Sequence, residues 1–149
     1  MTNLKLDQQL CFAVYSAAHA FTRFYKPLLG QLGLTYPQYL VLLVLWEQDA
    51  QSMSAIGEKL LLDSGTLTPL LKRMEAMGLL TRTRAARDER QVLVHLLPPA
   101  KAMKSIAEGF PQQLVTASSC SGEELDILRR TLVGLRDQLD AGAAAQDFS

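Results

Sequence analysis

Leu10, Ala13, Val14, Ala17, Phe21, Phe24 and Leu28 recur at steps of three and four, so residues 7 to about 29 read as an amphipathic helix. Asp7 stands where a cap belongs, and Gly30 to Gly33 breaks the pattern. Thr35 and Gln38 have capping-box spacing with Pro37 in the first turn, which predicts a second, very apolar helix over Pro37–Gln48. A polar gap at Asp49–Ser52 leads into a short helix, roughly Met53–Leu61. Asp63 or Ser64 starts the next, which runs to Met77 with Gly78 as its stop. From Leu79 the period shortens. Leu79-Leu80 and Val92-Leu93-Val94-His95-Leu96 read as two strands joined by a charged tip, Arg82–Arg90. Pro98-Pro99 opens a long helix to about Ala117, a last amphipathic helix runs from Gly122-Glu123 to Leu139, and Ala141–Ser149 looks frayed. The expected fold is mainly α with a small β-hairpin wing, a single domain over residues 1–149.

Charge sharpens this picture in one place. The 149 residues carry 15 basic and 15 acidic side chains, so the molecule as a whole is not a polycation. From Lys72 to Arg90, however, six basic residues (Lys72, Arg73, Arg82, Arg84, Arg87, Arg90) stand against three acidic ones (Glu75, Asp88, Glu89). That central block is the only one with a positive balance, and a short basic run alone equally suits a solvated face. No apolar run is long enough to cross a membrane, and no basic-then-apolar leader opens the chain, so the cytoplasm is the expected location. Cys11 and Cys120 are too far apart and too few for a disulfide framework. His19 and His95 have no Cys or acidic partners nearby, so neither a metal nor another cofactor is expected.

In the segment Ser64–Met77, Leu67, Leu70, Leu71, Met74 and Met77 form one apolar stripe, while Thr66, Pro69, Lys72, Arg73 and Ala76 face away from it. A helix tied to a core on one side, with hydroxyls at its exposed start and cations behind, suits the major groove of DNA. Hydroxyls can meet base edges and cations can meet phosphates. The candidate set is Ser64, Thr66, Thr68, Pro69, Lys72 and Arg73 on the helix, with Arg87, Asp88 and Arg90 on the wing, whose arginines suit the flanking minor groove. An ordinary surface helix beside a charged loop remains the plain alternative.

The run Leu60-Leu-Leu-Asp-Ser-Gly-Thr-Leu-Thr-Pro-Leu-Leu-Lys-Arg-Met-Glu-Ala-Met-Gly-Leu-Leu80, followed by Arg87-Asp-Glu-Arg90, closely resembles the recognition helix and wing of the MarR family. Leu10-Cys-Phe-Ala-Val-Tyr-Ser16 and Leu34-Thr-Tyr-Pro-Gln-Tyr-Leu-Val41 resemble its organic-hydroperoxide-sensing branch. The resemblance covers essentially the whole chain. It implies a winged helix-turn-helix homodimer with a DNA-binding core at about residues 35–97, joined through helices at about 7–31 and 98–140. The implied partners are double-stranded, pseudo-palindromic operator DNA and an organic hydroperoxide inducer, with no membrane. Leu97-Pro98-Pro99-Ala100 departs from the family's usual Leu-Thr-x-x-Gly after the second wing strand.

The resemblance also implies that Cys11 is the sensor thiol and that Tyr25 and Tyr36 hold its thiolate. Cys11 and Tyr25 are 14 residues apart. On a continuous helix that is within ~40° of one face but ~21 Å along the axis, so Tyr25 can meet only a partner's Cys11. The thiolate is the nucleophile, and phenol donors, a helix start and the apolar Phe12, Phe21 and Phe24 suit attack on an apolar peroxide. The resulting sulfenic acid can be trapped by a second thiol, for which Cys120 is the candidate. Cys11 as an inert buried thiol, Tyr25 and Tyr36 as plain packing rings, and an external resolving thiol stay open. Tyr15, Tyr39 and Trp46 read as core, and both histidines as ordinary residues. Three functions remain: a thiol-switched repressor, a regulator released by a small aromatic ligand, and a thiol peroxidase. The last lacks the strand-helix alternation and CxxC of a thioredoxin-like enzyme.

Overall fold

Thr35 fixes the start of the helix on which the core is built. Its hydroxyl accepts from the Gln38 amide (3.4 Å) while its own amide donates to Gln38 Oε1 (2.9 Å), the reciprocal capping box. In this computed structural model, which describes residues 4–85 and 88–146, the capped helix is α2 (Tyr36–Glu47), preceded by α1 (Leu10–Gly30). The chain continues through β1 (Gln51–Ser52), α3 (Met53–Leu60), α4 (Ser64–Ala76), β2 (Leu80–Ala85) and β3 (Asp88–Leu96). It ends in α5 (Pro98–Ala107), α6 (Phe110–Ser118) and α7 (Gly122–Gln146). No helix among the described residues is long and apolar enough to cross a membrane.

The chain divides into two compact units, one up to Ile106 and one from Ala107. In the first, Leu42, Leu45, Ile56, Leu67, Leu71, Met74, Leu80 and Val94 are almost wholly buried. α2, α3 and α4 thus surround a core closed by a three-stranded antiparallel sheet of order β1-β3-β2. Asp49 secures its edge, with Oδ1 accepting from the amides of Ala50 (2.8 Å) and Leu96 (2.9 Å). The Trp46 indole donates to the Ala100 carbonyl (2.9 Å), tying α2 to α5. In the second unit, α6 is followed by α7, whose start carries its own capping box between Ser121 and Glu124.

Several expectations need correction. Asp7 does not cap α1: it lies in a one-turn 3-10 helix, Leu6–Gln8, and extended Gln9 is the N-terminal flanking residue, with no side-chain cap. Part of the polar gap at 49–52 is a strand, because Gln51 and Ser52 pair with Val94 and Leu93. Most of the charged tip is ladder, with pairs from Leu80↔Leu96 to Arg84↔Val92 and then Ala85↔Asp88 after a register shift. The long helix from Pro98 breaks at Gly109, with Pro111 in the first turn of α6. A proline there has no amide to continue the preceding ladder. Helix α7 runs past Leu139 to Gln146, so much of the expected frayed tail is helical. Tyr15 is not core but 63% exposed, and its ring meets His19 at 4.5 Å. Met77 follows α4 as its C-cap and is exposed rather than part of the buried stripe.

Candidate DNA-reading surface and sensor thiol

The turn between α3 and α4 is held by backbone geometry. The Leu62 amide donates to the Gly57 carbonyl (2.9 Å), and Leu61 takes a left-handed conformation with φ of 58°. A Cβ at Gly57 would lie 2.9 Å from the Leu62 carbonyl, so a larger residue would push the turn open. Ser52 caps α3 by accepting from the Ala55 amide (3.1 Å), and Asp63 caps α4 by accepting from the Thr66 amide (2.8 Å). The Thr66 amide, through its backbone hydrogen bond, is the main reason the Asp63 carboxyl sits below its usual range.

Leu67, Leu70, Leu71 and Met74 are buried, which leaves the opposite side of α4 outward. Ser64, Gly65, Thr66, Pro69, Lys72 and Arg73 are exposed there, and Thr68 is half-buried at the edge. The helix ends in a left-handed Gly78 (φ 76°), whose amide donates to Glu75 while the Leu79 amide donates to Met74. That reversal feeds β2 directly into the wing. Arg90 is exposed on β3, and Asp88 begins β3 opposite Ala85; Arg87 lies outside the described residues.

A link that sequence reasoning missed joins the reading helix to the wing. Glu75 Oε2 accepts from the Arg82 amide (2.9 Å), and the same carboxylate pairs with the Arg82 guanidinium at 3.5 Å. These hydrogen bonds from Arg82 hold the Glu75 carboxyl below its usual range. Arg82 therefore braces the wing rather than offering itself to a phosphate. The signal was present in the sequence as two opposite charges flanking the Gly78 stop.

Cys11 is the second residue of α1 and exposed, at the helix end whose amides have no carbonyl partners within the helix. Phe12 and Phe21 are also about two-fifths exposed, while Phe24 is half-buried. Cys120 is half-buried between α6 and α7, its amide donating to Ser118 Oγ (3.2 Å), and both thiols are free.

α1 is unbroken from Leu10 to Gly30 despite Pro27, so the two ends of the Cys11–Tyr25 interval belong to one rod. Tyr25 instead meets Tyr36 (ring centroids 5.7 Å) and Tyr39 (5.9 Å), with Tyr36 and Tyr39 at 6.2 Å. Tyr39, expected only as core, is thus the third ring of this cluster; its three-residue step from Tyr36 along α2 was the overlooked sign. Burial first, and then the neighbouring Tyr36, raises the Tyr25 phenol above its ordinary value. Burial, followed by the neighbouring Tyr25 and Tyr36, pushes Tyr39 up to about 12. Both phenols therefore stay protonated, and able to donate, across the physiological range.

A capped helix-turn-helix with hydroxyls and cations on its outer face, followed by an antiparallel wing, defines a winged helix-turn-helix DNA-binding protein. The family description transcriptional regulator SarA/Rot matches residues 23–107. The organic hydroperoxide resistance transcriptional regulator of Bacillus subtilis is 47% identical over 137 residues, 92% of this chain and 93% of that protein. A solved structure of reduced AbfR bound to DNA is similar with a TM-score of 0.74 and 36% identity, over 91% of this chain and 93% of that one. A disulfide form of AbfR, a Staphylococcus epidermidis protein, is similar with a TM-score of 0.62 and 39% identity, over 87% and 91%. The chain belongs to the SarA/Rot transcriptional regulators, within the MarR-type winged-helix proteins and the branch that holds the organic hydroperoxide resistance regulators.

Proposed function

We propose that the protein is a homodimeric repressor that holds a pseudo-palindromic operator while Cys11 is reduced and leaves it when an organic hydroperoxide oxidises that thiol. The observation that carries this reading is the placement of Cys11: an exposed thiol in the first turn of a helix whose Leu10, Phe12, Val14 and Phe21 are uncovered. A relative named for organic hydroperoxide resistance, and a DNA-binding relative with a disulfide form, support it. The Cys11 thiolate attacks the outer peroxide oxygen and the O–O bond breaks. The leaving alkoxide takes up a proton to become the alcohol, and sulfur, oxidised by two electrons, keeps the hydroxyl as a sulfenic acid. A second thiol then displaces that hydroxyl as water, forming an S–S bond; Cys120 of the other subunit is the proposed donor. Tyr25 and Tyr36 donate to the thiolate.

The dimer is proposed to form through residues at about 7–31 and 98–140, placing two copies of α4 about one DNA turn, ~34 Å, apart. Oxidation acts by altering that spacing, because a ligand or bond shifts an equilibrium only through a difference between two states. One equivalent of cumene hydroperoxide, followed by a non-reducing gel and mass spectrometry, tests the scheme in wild type, Cys11→Ser and Cys120→Ser. A covalent dimer that either substitution abolishes is expected. It should be accompanied by at least a tenfold loss of affinity, absent in Cys11→Ser, for a duplex selected by the reduced protein. An untouched Cys11 thiol, or full affinity after complete oxidation, overturns it.

A further inference from the structure

Pro69 is the sixth residue of α4, yet the helix continues to Ala76. A proline in the first position of a helix sacrifices nothing, because that amide has no partner to lose. At the sixth position the missing N–H is the one that would donate to the carbonyl four residues back, at Gly65, and the ring crowds that carbonyl. Pro69 does not end the helix, and it fills no core position, since it is exposed. The four buried side chains of α4 all lie on the other face. Gly65 is exposed on the same stripe as Pro69 and has no Cβ to screen its backbone. The outward face of the reading helix therefore carries a backbone carbonyl deprived of its helical donor, flanked by the exposed Ser64 and Thr66.

We infer that Pro69 and Gly65 together form a specificity element, in which the Gly65 carbonyl accepts a hydrogen bond from a base bearing an exocyclic amine in the major groove. This rests on the proposed binding of operator DNA by α4. In the major groove adenine and cytosine present amine donors, whereas guanine O6 and thymine O4 only accept. Lys72 and Arg73 are obligate donors, and hydroxyls serve either role. A carbonyl without its helical amide is still a pure acceptor, so it selects an amino base and rejects a keto base at one position of each half-site. Pro69 keeps that acceptor from being used up inside the helix.

The test begins by selecting a preferred duplex from a random-sequence library with the reduced wild-type protein, then repeating the selection with Pro69→Ala. Residue 69 regains its N–H in the variant, so the helix should gain thermal stability and the Gly65 carbonyl should be consumed. Affinity for the wild-type duplex should fall roughly tenfold, the scale of one lost base contact. Preference for adenine or cytosine should vanish at one position per half-site. Binding to random DNA and its salt dependence should not change, because the phosphate contacts are untouched. Replacing the amino base at that position by an analogue lacking the amine should weaken wild type to the same degree and leave Pro69→Ala unaffected. Gly65→Ala is the second variant. It retains Pro69, and its Cβ would meet only Asp63 Oδ1 at 3.4 Å, so the fold is kept while a methyl group screens the carbonyl; the same preference should weaken. A Pro69→Ala protein that selects the same bases at every position overturns the inference. A wild-type protein that selects no duplex overturns the repressor reading instead.

Discussion

If Tyr25 serves the Cys11 of the opposite subunit, function should be restored by complementation in trans and lost in cis. α1 is continuous from Leu10 to Gly30, so 14 residues separate the two side chains on one rod. At ~1.5 Å per residue that is ~21 Å, beyond what a phenol and a thiol can span together. Consider heterodimers of one Cys11→Ser subunit and one Tyr25→Phe subunit. The surviving Cys11 lies in the Tyr25→Phe chain and faces the intact Tyr25 of the other, so one complete site remains. Placing both substitutions in one chain, opposite a wild-type chain, leaves a single Cys11 facing a ring that has lost its hydroxyl. A phenol hydrogen bond to a charged thiolate is worth ~1.5–3 kcal/mol, which corresponds to roughly tenfold or more in the population of the reactive form. The raised value of Tyr25 keeps its proton available for that bond. Heterodimers purified with two different affinity tags, and stopped-flow trapping of the sulfenic acid under limiting cumene hydroperoxide, give the two rates. The first arrangement should react at the wild-type rate per site and the second about tenfold more slowly. The reverse order would place Tyr25 on its own Cys11 and refute the two-subunit site.

Leu71 is fully buried, and Leu71→Ala should cost about 2–5 kcal/mol, lowering the thermal midpoint of the first unit by roughly 10 °C or more. The Glu75 carboxyl is held down by Arg82, so its contribution to stability is complete above the unfolded value near 4.5. It disappears as the pH falls through the lower folded value. Thermal melts between pH 7 and 3 should show a shallower acid decline in Glu75→Gln, and an identical decline would remove the brace from the account. Arg90→Ala should weaken binding to the selected duplex by about 1–3 kcal/mol in fluorescence anisotropy, whereas unchanged affinity would mean that the wing does not contact the minor groove as supposed.

The features written in adjacent residues were legible from the sequence. Thr35 with Gln38, Asp63 ahead of α4 and Gly78 behind it are local capping choices, and each stands where its chemistry requires. The buried stripe of α4 follows from period alone, apart from Met77 at its end. What escaped notice depends on residues far apart in the chain. β1 is only two residues long and exists because Val94 and Leu93 come alongside it. Asp49 looked like loop polarity because its partner, the Leu96 amide, is 47 positions away. Arg82 enters the basic block as one cation among six for the same kind of reason, since a charge count cannot tell a phosphate-seeking arginine from one already committed to Glu75. The break before α6 has another cause: Gly109 and Pro111 stand there in the sequence, but the apolar residues on either side keep a helical period through them. The resemblance singles out Tyr25 and Tyr36, and only the packing of rings brings Tyr39 to the same cluster.

Helix α7 is 25 residues long and has no buried residue in the single chain, with Ile127, Leu128, Leu132 and Leu139 each at least two-fifths exposed. Most helical stability in proteins comes from packing an apolar face against other elements, and here that face is uncovered. In the proposed dimer its order is therefore coupled to mass action: the thermal midpoint of this part of the molecule should climb with protein concentration. The dose of repressor in the cell would then set how much of it has an ordered α7, apart from any oxidant.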